Sequence, residues 1–186
     1  MPEVEDDTVI QISGNKLWDE YNEAKALGIE TKPTVTGAYT MLKLCRYTGS
    51  KTEADYVDAI VNAYQQILAK CDASGITWVQ FEEPALVWDM DENDISLFHK
   101  IYDELLAAKK SCKVLIQTYF GDVRDVYRNL IAMPFDGIGL DFIEGKQTFD
   151  LIEKNGFPED KILFAGLVNG KNILRLPRRN WKNFGN

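Results

Sequence analysis

Histidine occurs once in this chain, at His99, and cysteine three times, at Cys45, Cys71 and Cys112. One imidazole and thiols 26 and 41 residues apart give no zinc-binding spacing. An odd number of scattered cysteines excludes a disulfide scaffold and predicts free thiols in a reducing cytoplasm. No run of 18 apolar residues occurs, so no membrane-spanning helix is expected. The start, Met1 to Asp7, is acidic and lacks the apolar core of a secretory signal. Neither a G-x-G-x-x-G fingerprint nor a Walker A sequence is present, so no phosphate-cradling loop is supported. Acidic residues are missing altogether after Asp160. That last stretch carries +6, from Lys161, Lys171, Arg175, Arg178, Arg179 and Lys182. The whole chain carries −8, so residues 1–160 carry −14. A body this acidic repels a phosphate backbone, and nucleic acid is excluded as the main partner. The basic end reads as a solvated tail or a polyanion contact.

What is present is an ordinary globular composition: 186 residues, 45% hydrophobic and 27% charged. The length and the lack of a Pro/Gly/Ser-rich linker predict one domain. Five short apolar runs read as buried strands: Thr34–Thr36, Trp78–Phe81, Val114–Thr118, Gly137–Leu140 and Ile162–Leu167. Helical stripes lie between them. Val57, Ile60, Val61, Tyr64, Ile67, Leu68 and Cys71 form one, with Gly75 as its stop. Ile95, Phe98, Ile101, Tyr102, Leu105 and Leu106 form another, with Asp91 or Asp94 as N-cap. Val123, Val126, Tyr127, Leu130 and Ile131 make a third after Asp122. Phe149, Leu151 and Ile152 make a short fourth that ends near Gly156, and a further helix covers Lys16–Leu27 up to Gly28. Strands alternating with helices predict an α/β fold with about five parallel strands and flanking helices. Periodicity leaves open whether the sheet is doubly wound or part of a (β/α)8 barrel.

Polar residues follow the strands: Gly37, then Glu82-Glu83-Pro84, then Tyr119-Phe120-Gly121-Asp122, then Asp141, then Asn169-Gly170. Sites of parallel α/β folds are built at the C-terminal ends of strands, so these residues are expected to converge on one face. Glu82, Glu83 and Asp141 are suited to bind an amine, or to divide acid and base roles. The plainer reading is that one Glu caps the following turn and the other faces solvent. His99 follows the core-facing Phe98 within a helix and reads as structural or solvated.

At these residues the chain resembles the N-terminal domain of cobalamin-independent methionine synthase. That family is the zinc-dependent 5-methyltetrahydropteroyltriglutamate–homocysteine methyltransferase. The resemblance rests on Asp19–Gly28 (DEYNEAKALG), Lys32–Leu44 (KPTVTGAYTMLKL) and Tyr64–Val87 (YQQILAKCDASGITWVQFEEPALV). It continues through Thr118–Arg124 (TYFGDVR), Gly137–Gly145 (GIGLDFIEG) and Leu163–Ile173 (LFAGLVNGKNI). These stretches cover roughly residues 1–175, in the order of the family.

The resemblance implies a partial (β/α)8 TIM barrel of the cobalamin-independent methionine synthase type. It implies a parent with two such barrels, whose C-terminal barrel holds the zinc that activates the homocysteine thiol toward the folate methyl group. On the same grounds Tyr119-Phe120-Gly121 corresponds to a zinc-binding His-x-Cys strand of that barrel, Asp141 to a zinc-binding Glu, and Glu82 to a carboxylate that holds the amino acid, with Glu83 beside it. Glu82, Glu83, Tyr119, Asp141 and Asn169 are therefore expected to form a vestigial ligand site without metal and without catalytic residues. The implied partners are the methyl-folate polyglutamate, homocysteine and the catalytic barrel. The family's upstream folate-tail segment and fourth zinc ligand have no counterpart here, and Leu176–Asn186 reads as an unrelated basic tail. The alternatives are a small-ligand-binding module and an oligomerising one. Five barrel strands are expected to leave two open edges and an open interior, exposing residues such as Val79, Phe81, Leu115 and Ile138 or their neighbours. A homo-oligomer is then expected, through the edges or by exchange of Met1–Gly28, with a rearranged, flatter sheet as the rival outcome.

Overall fold

A computed structural model describes residues 2–170. Residues 171–186, which include the basic tail, lie outside the described residues. Seven strands and six helices follow one another along the described chain, in the order β1 (Glu3–Val4), α1 (Lys16–Ala26), β2 (Thr34–Thr36), α2 (Ala38–Leu44), β3 (Arg46–Tyr47), α3 (Val57–Ala73), β4 (Trp78–Glu82), α4 (Glu92–Ala107), β5 (Lys113–Gln117), α5 (Tyr127–Ala132), β6 (Gly137–Asp141), α6 (Thr148–Asn155) and β7 (Ile162–Gly166). Single 3-10 turns at Glu53–Tyr56 and Pro84–Val87 lead into α3 and out of β4.

Strands β2, β4, β5, β6 and β7 form one parallel sheet in that spatial order. The spatial order repeats the chain order without a reversal. A doubly wound sheet needs a reversal, its switch point. Right-handed crossovers that always step the same way place the helices on one side only, as in the wall of a (β/α)8 barrel. The register shows the consequence. Val79, Phe81, Val114, Ile116, Ile138 and Leu140 share the helix-facing side and are buried. Gln80, Glu82, Gln117 and Asp141 alternate with them and share the other side, which is the inner face of the barrel wall.

This corrects the expected exposure of apolar interior residues. Val79, Phe81 and Ile138 face the helices, and all three are 0% exposed. Leu115 does lie on the inner face but is also 0% exposed. It sits beside Trp78 and Phe164, whose rings meet edge to face at 5.7 Å in the space that Gly137 leaves free. Beyond this patch and the half-exposed Ile162, the inner face is polar. Lys32 Nζ donates to Gln80 Oε1, and Gln80 Nε2 donates to Glu82 Oε1 at 3.1 Å.

The third helical stripe is shorter than its spacing predicts. Val123 and Val126 are buried, but the helix begins only at Tyr127. Polar bonds hold the preceding turn instead: Arg124 bridges Asp122 at 3.0 Å and Asp89 at 2.5 Å, and Asp125 accepts from Met90 N at 3.1 Å. Nothing in the spacing predicts helix α2 or the small β1–β3 parallel pair. The pair ties the N-terminal segment down, supported by Tyr56 Oη donating to Glu5 O at 2.6 Å. Asp91, not Asp94, is the N-cap of α4, and its carboxylate accepts from Asn93 N and Asp94 N. Gly75 closes α3 with φ 67°, the conformation in which glycine has no Cβ to clash. Among the described residues, no helix is long and apolar enough to cross a membrane.

Candidate functional site

Two carboxylates end β4, and the strand pleat sends them opposite ways. Glu83, just past the strand, is 0% exposed. Its Oε1 accepts from Tyr39 N at 2.9 Å and from Tyr102 Oη at 2.5 Å, and its Oε2 accepts from Thr40 N at 2.7 Å. Tyr39 and Thr40 are in the first turn of α2, whose N–H groups lack partners within the helix. Glu83 therefore caps a helix more than forty residues earlier in the chain. Burial pushes its carboxyl up to about 7, against the opposing pull of Thr40, Tyr102 and the two backbone N–H groups. The β2–α2 turn runs directly across this carboxylate. A Cβ on Gly37 would lie 2.1 Å from Glu83 Oε1, so only glycine allows the approach.

Glu82 is half-buried on the inner face. Its Oε2 accepts from Tyr119 Oη at 3.3 Å. Burial, and then the Glu82 charge, push the Tyr119 phenol up. The Lys32–Gln80–Glu82–Tyr119 chain thus runs along the inner wall to the C-terminal mouth of the sheet.

Asp141 ends β6 and is largely engaged by backbone. Its Oδ2 accepts from Phe120 N at 2.9 Å, and its Oδ1 accepts from Ile143 N at 2.7 Å and Glu144 N at 3.0 Å. These bonds join the loops that follow β5 and β6. They hold Phe120 at φ 73°, a left-handed conformation that costs a bulky residue roughly 1–3 kcal/mol. Its ring is 67% exposed at the mouth and meets Tyr119 edge to face at 4.7 Å. A cavity of about 370 Å³ opens there, lined among others by Gln117, Tyr119, Asp141 and Asn169.

The sequence-predicted residues are thus placed as follows. Tyr119, Asp141 and Asn169 share the cavity, Glu82 reaches it through Tyr119, and Glu83 is sealed beneath α2. His99 lies away from the mouth on α4, between Asp103 at 3.6 Å and Asn129 at 2.8 Å. Sequence reasoning missed Lys32, Gln80, Thr40 and Tyr102. Tyr102 falls on an apolar stripe, and nothing in its spacing marks its hydroxyl as a partner of Glu83.

The positions that the resemblance equates with zinc ligands do not fit zinc. Tyr119 directs its hydroxyl to Glu82, Gly121 has no side chain, and both Asp141 oxygens accept from backbone N–H groups. The thiols of Cys71 and Cys112 are buried away from the mouth.

Comparison with known proteins agrees with this architecture. The family described as "Cobalamin-independent synthase, N-terminal domain" matches residues 1–183. A 5-methyltetrahydropteroyltriglutamate–homocysteine methyltransferase of Lactococcus lactis is 51% identical over 175 residues, covering 94% of this chain and 23% of that protein. Its namesakes in Streptococcus thermophilus and Campylobacter jejuni are 50% and 48% identical, again across 23% of their length. The chain thus spans about a quarter of the length of these relatives. Among solved structures, a putative vitamin-B12-independent methionine synthase from Listeria monocytogenes superposes with a TM-score of 0.71 at 16% identity, over 90% of this chain and 56% of that one. A B12-independent methionine synthase from Shewanella, solved with selenomethionine, superposes with a TM-score of 0.63 at 16% identity, over 84% and 50%. At such identity the likeness shows the fold, a partial (β/α)8 barrel of the same kind. On the match across residues 1–183 and the half-identical relatives, this chain belongs to the family of cobalamin-independent synthase N-terminal domains.

Proposed function

We propose that this chain serves as the N-terminal-domain part of a cytoplasmic methyltransferase that moves the methyl group of 5-methyltetrahydropteroyltriglutamate to homocysteine. In this reading it is a scaffold and is inactive alone. The zinc that makes a homocysteine thiolate, the methyl-folate and homocysteine are held with the catalytic C-terminal barrel of the parent protein. The observation that carries the reading is the donor set at the mouth: a tyrosine, a glycine and a backbone-engaged aspartate stand at the positions equated with zinc ligands. What the mouth retains is a cavity with a largely apolar lining and a few polar groups. Glu82, Tyr119 and Asn169 are the residues suited to touch a small amine-bearing ligand there. Glu83 and Asp141 are positioning residues that hold α2 and the two mouth loops. Residues 1–175 form the domain in this proposal, and residues 176–186 a basic appendage.

The test is methyl transfer by three samples: this chain alone, the remaining length of the Lactococcus lactis relative alone, and the two together. The expected result is no turnover with this chain alone and the highest turnover with both. Turnover by this chain alone overturns the proposal.

A further inference from the structure

The mouth gathers exposed apolar side chains that the reading above leaves unused. Phe120, Ile143 and Val168 all line the cavity there, and Val168 is 77% exposed. Phe120 is the telling member. Its backbone lies in the left-handed region, which a phenylalanine occupies only under constraint. Asp141 supplies that constraint by accepting from Phe120 N at 2.9 Å. A large ring held in water at a conformational cost, beside two more exposed apolar side chains, marks a surface that binds something. Carboxylates stand around it. Asp141 and Glu144 belong to the lining, and Glu82 reaches it through Tyr119.

A segment of matching chemistry starts at the same place. Asn169 and Gly170 line the cavity, and the basic end of the chain follows them directly. Residues 171–186 contain no acidic group and carry +5, from Lys171, Arg175, Arg178, Arg179 and Lys182. Between these cations stand Ile173, Leu174, Leu176, Trp181 and Phe184. Interleaved cations and apolar residues complement an apolar cavity ringed by carboxylates, on a body that carries −14 over residues 1–160. Trp181 is eleven residues beyond Gly170, a reach of roughly 36 Å when extended, so the segment is long enough to turn back over the cavity. Tethering makes weak contacts sufficient. A segment joined by a short linker meets its site at an effective concentration on the order of millimolar, and any tighter intrinsic affinity keeps the site occupied.

We propose that residues 173–184 dock on the mouth of their own chain, with their apolar side chains against Phe120, Ile143 and Val168 and their cations facing Glu144 and Glu82. The docked segment covers the apolar lining and competes with any small molecule for the cavity. This inference stands apart from the methyltransferase reading, and its test involves no turnover.

The experiment couples amines to neighbouring carboxylates in the full chain with a water-soluble carbodiimide. An equal mixture of unlabelled and nitrogen-15-labelled protein is used at micromolar concentration. The expected product joins Lys182 to Glu144 or Glu82 within one chain, so each pair of linked peptides carries a single isotope. Raising the salt to about 1 M should lower the yield several-fold. Phe120→Gly removes the ring and suits the left-handed backbone, so this variant keeps the fold and should also lower the yield several-fold. Four results would each overturn the proposal. They are absence of the Lys182 link, its spread to carboxylates at the opposite end of the strands such as Glu104 and Glu159, linked pairs of mixed isotope, and an unchanged yield in Phe120→Gly.

Discussion

Glu83 is a carboxylate that water cannot reach, and its environment fixes how stability changes with pH. Its folded value of about 7 lies above the 4.5 of an unfolded chain. Stability from this group is therefore fully present below the unfolded value and is lost as pH rises through about 7. Between pH 5 and pH 8 the loss amounts to roughly 2–3 kcal/mol. The lowered carboxyls of Asp6, Asp55, Asp72 and Asp94 are ionised throughout that window and do not contribute to the slope. Denaturant midpoints should fall from pH 5 to pH 8, and Glu83→Gln should remove most of the fall. A variant that keeps the full slope would show that another group is responsible. At this scale the sequence was half legible. The pair Glu82-Glu83 was recognisable as a strand end, and the division of the two into a buried and a more accessible carboxylate follows from the pleat. That Glu83 caps α2 was not legible, because its partners Tyr39 and Thr40 are 44 and 43 residues away. Local spacing carries no trace of such a contact.

Long helices were the most legible elements, since burying one stripe imposes a spacing that the sequence must keep. The pattern of α4 ran from Ile95 to Leu106, and its start lies one turn earlier, where Asp91 and Asp94 cap reciprocally. Asp91→Ala should cost about 1 kcal/mol, read as a lower thermal midpoint with the fold retained. No loss would mean that α4 draws its register from packing alone. Strand cores were legible for the same kind of reason. The elements that escaped are short. Helix α2 has seven residues and rests on Glu83 and on Lys43, which joins Glu53 at 2.8 Å and Asp94 at 2.7 Å. The strands β1 and β3 have two residues each and exist through each other. The turn before α5 mimics a helical stripe because Val123 and Val126 are buried at a spacing that a turn satisfies equally well.

For the whole molecule, the decisive feature was the order of the strands, which periodicity cannot supply. Sheet neighbours that follow chain order make a barrel wall, and among the described residues the wall has edges at β2 and β7. The inner face carries Gln80, Glu82 and Gln117 beside an apolar patch of Trp78, Leu115, Ile162 and Phe164, of which Leu115 is fully buried and Ile162 half exposed, so little of an exposed core argues for association. The edges still do, because their backbone groups form a template for another strand. Light scattering at micromolar concentration should give a dimer or larger species, whereas a stable monomer would mean that the edges are closed within one chain. Strand ends single out Tyr119, Asp141 and Asn169, which line the cavity, but they also single out Glu83, which lies sealed beneath α2, because position depends on which atoms the loops return. The central claim is that this mouth is built to hold its own backbone and not a metal. It is tested most directly by mixing the chain with a chromophoric zinc chelator, with and without homocysteine, and following the metal. Zinc is expected to stay with the chelator in both cases. One zinc per chain drawn from the chelator, and lost again in Asp141→Asn, would contradict it.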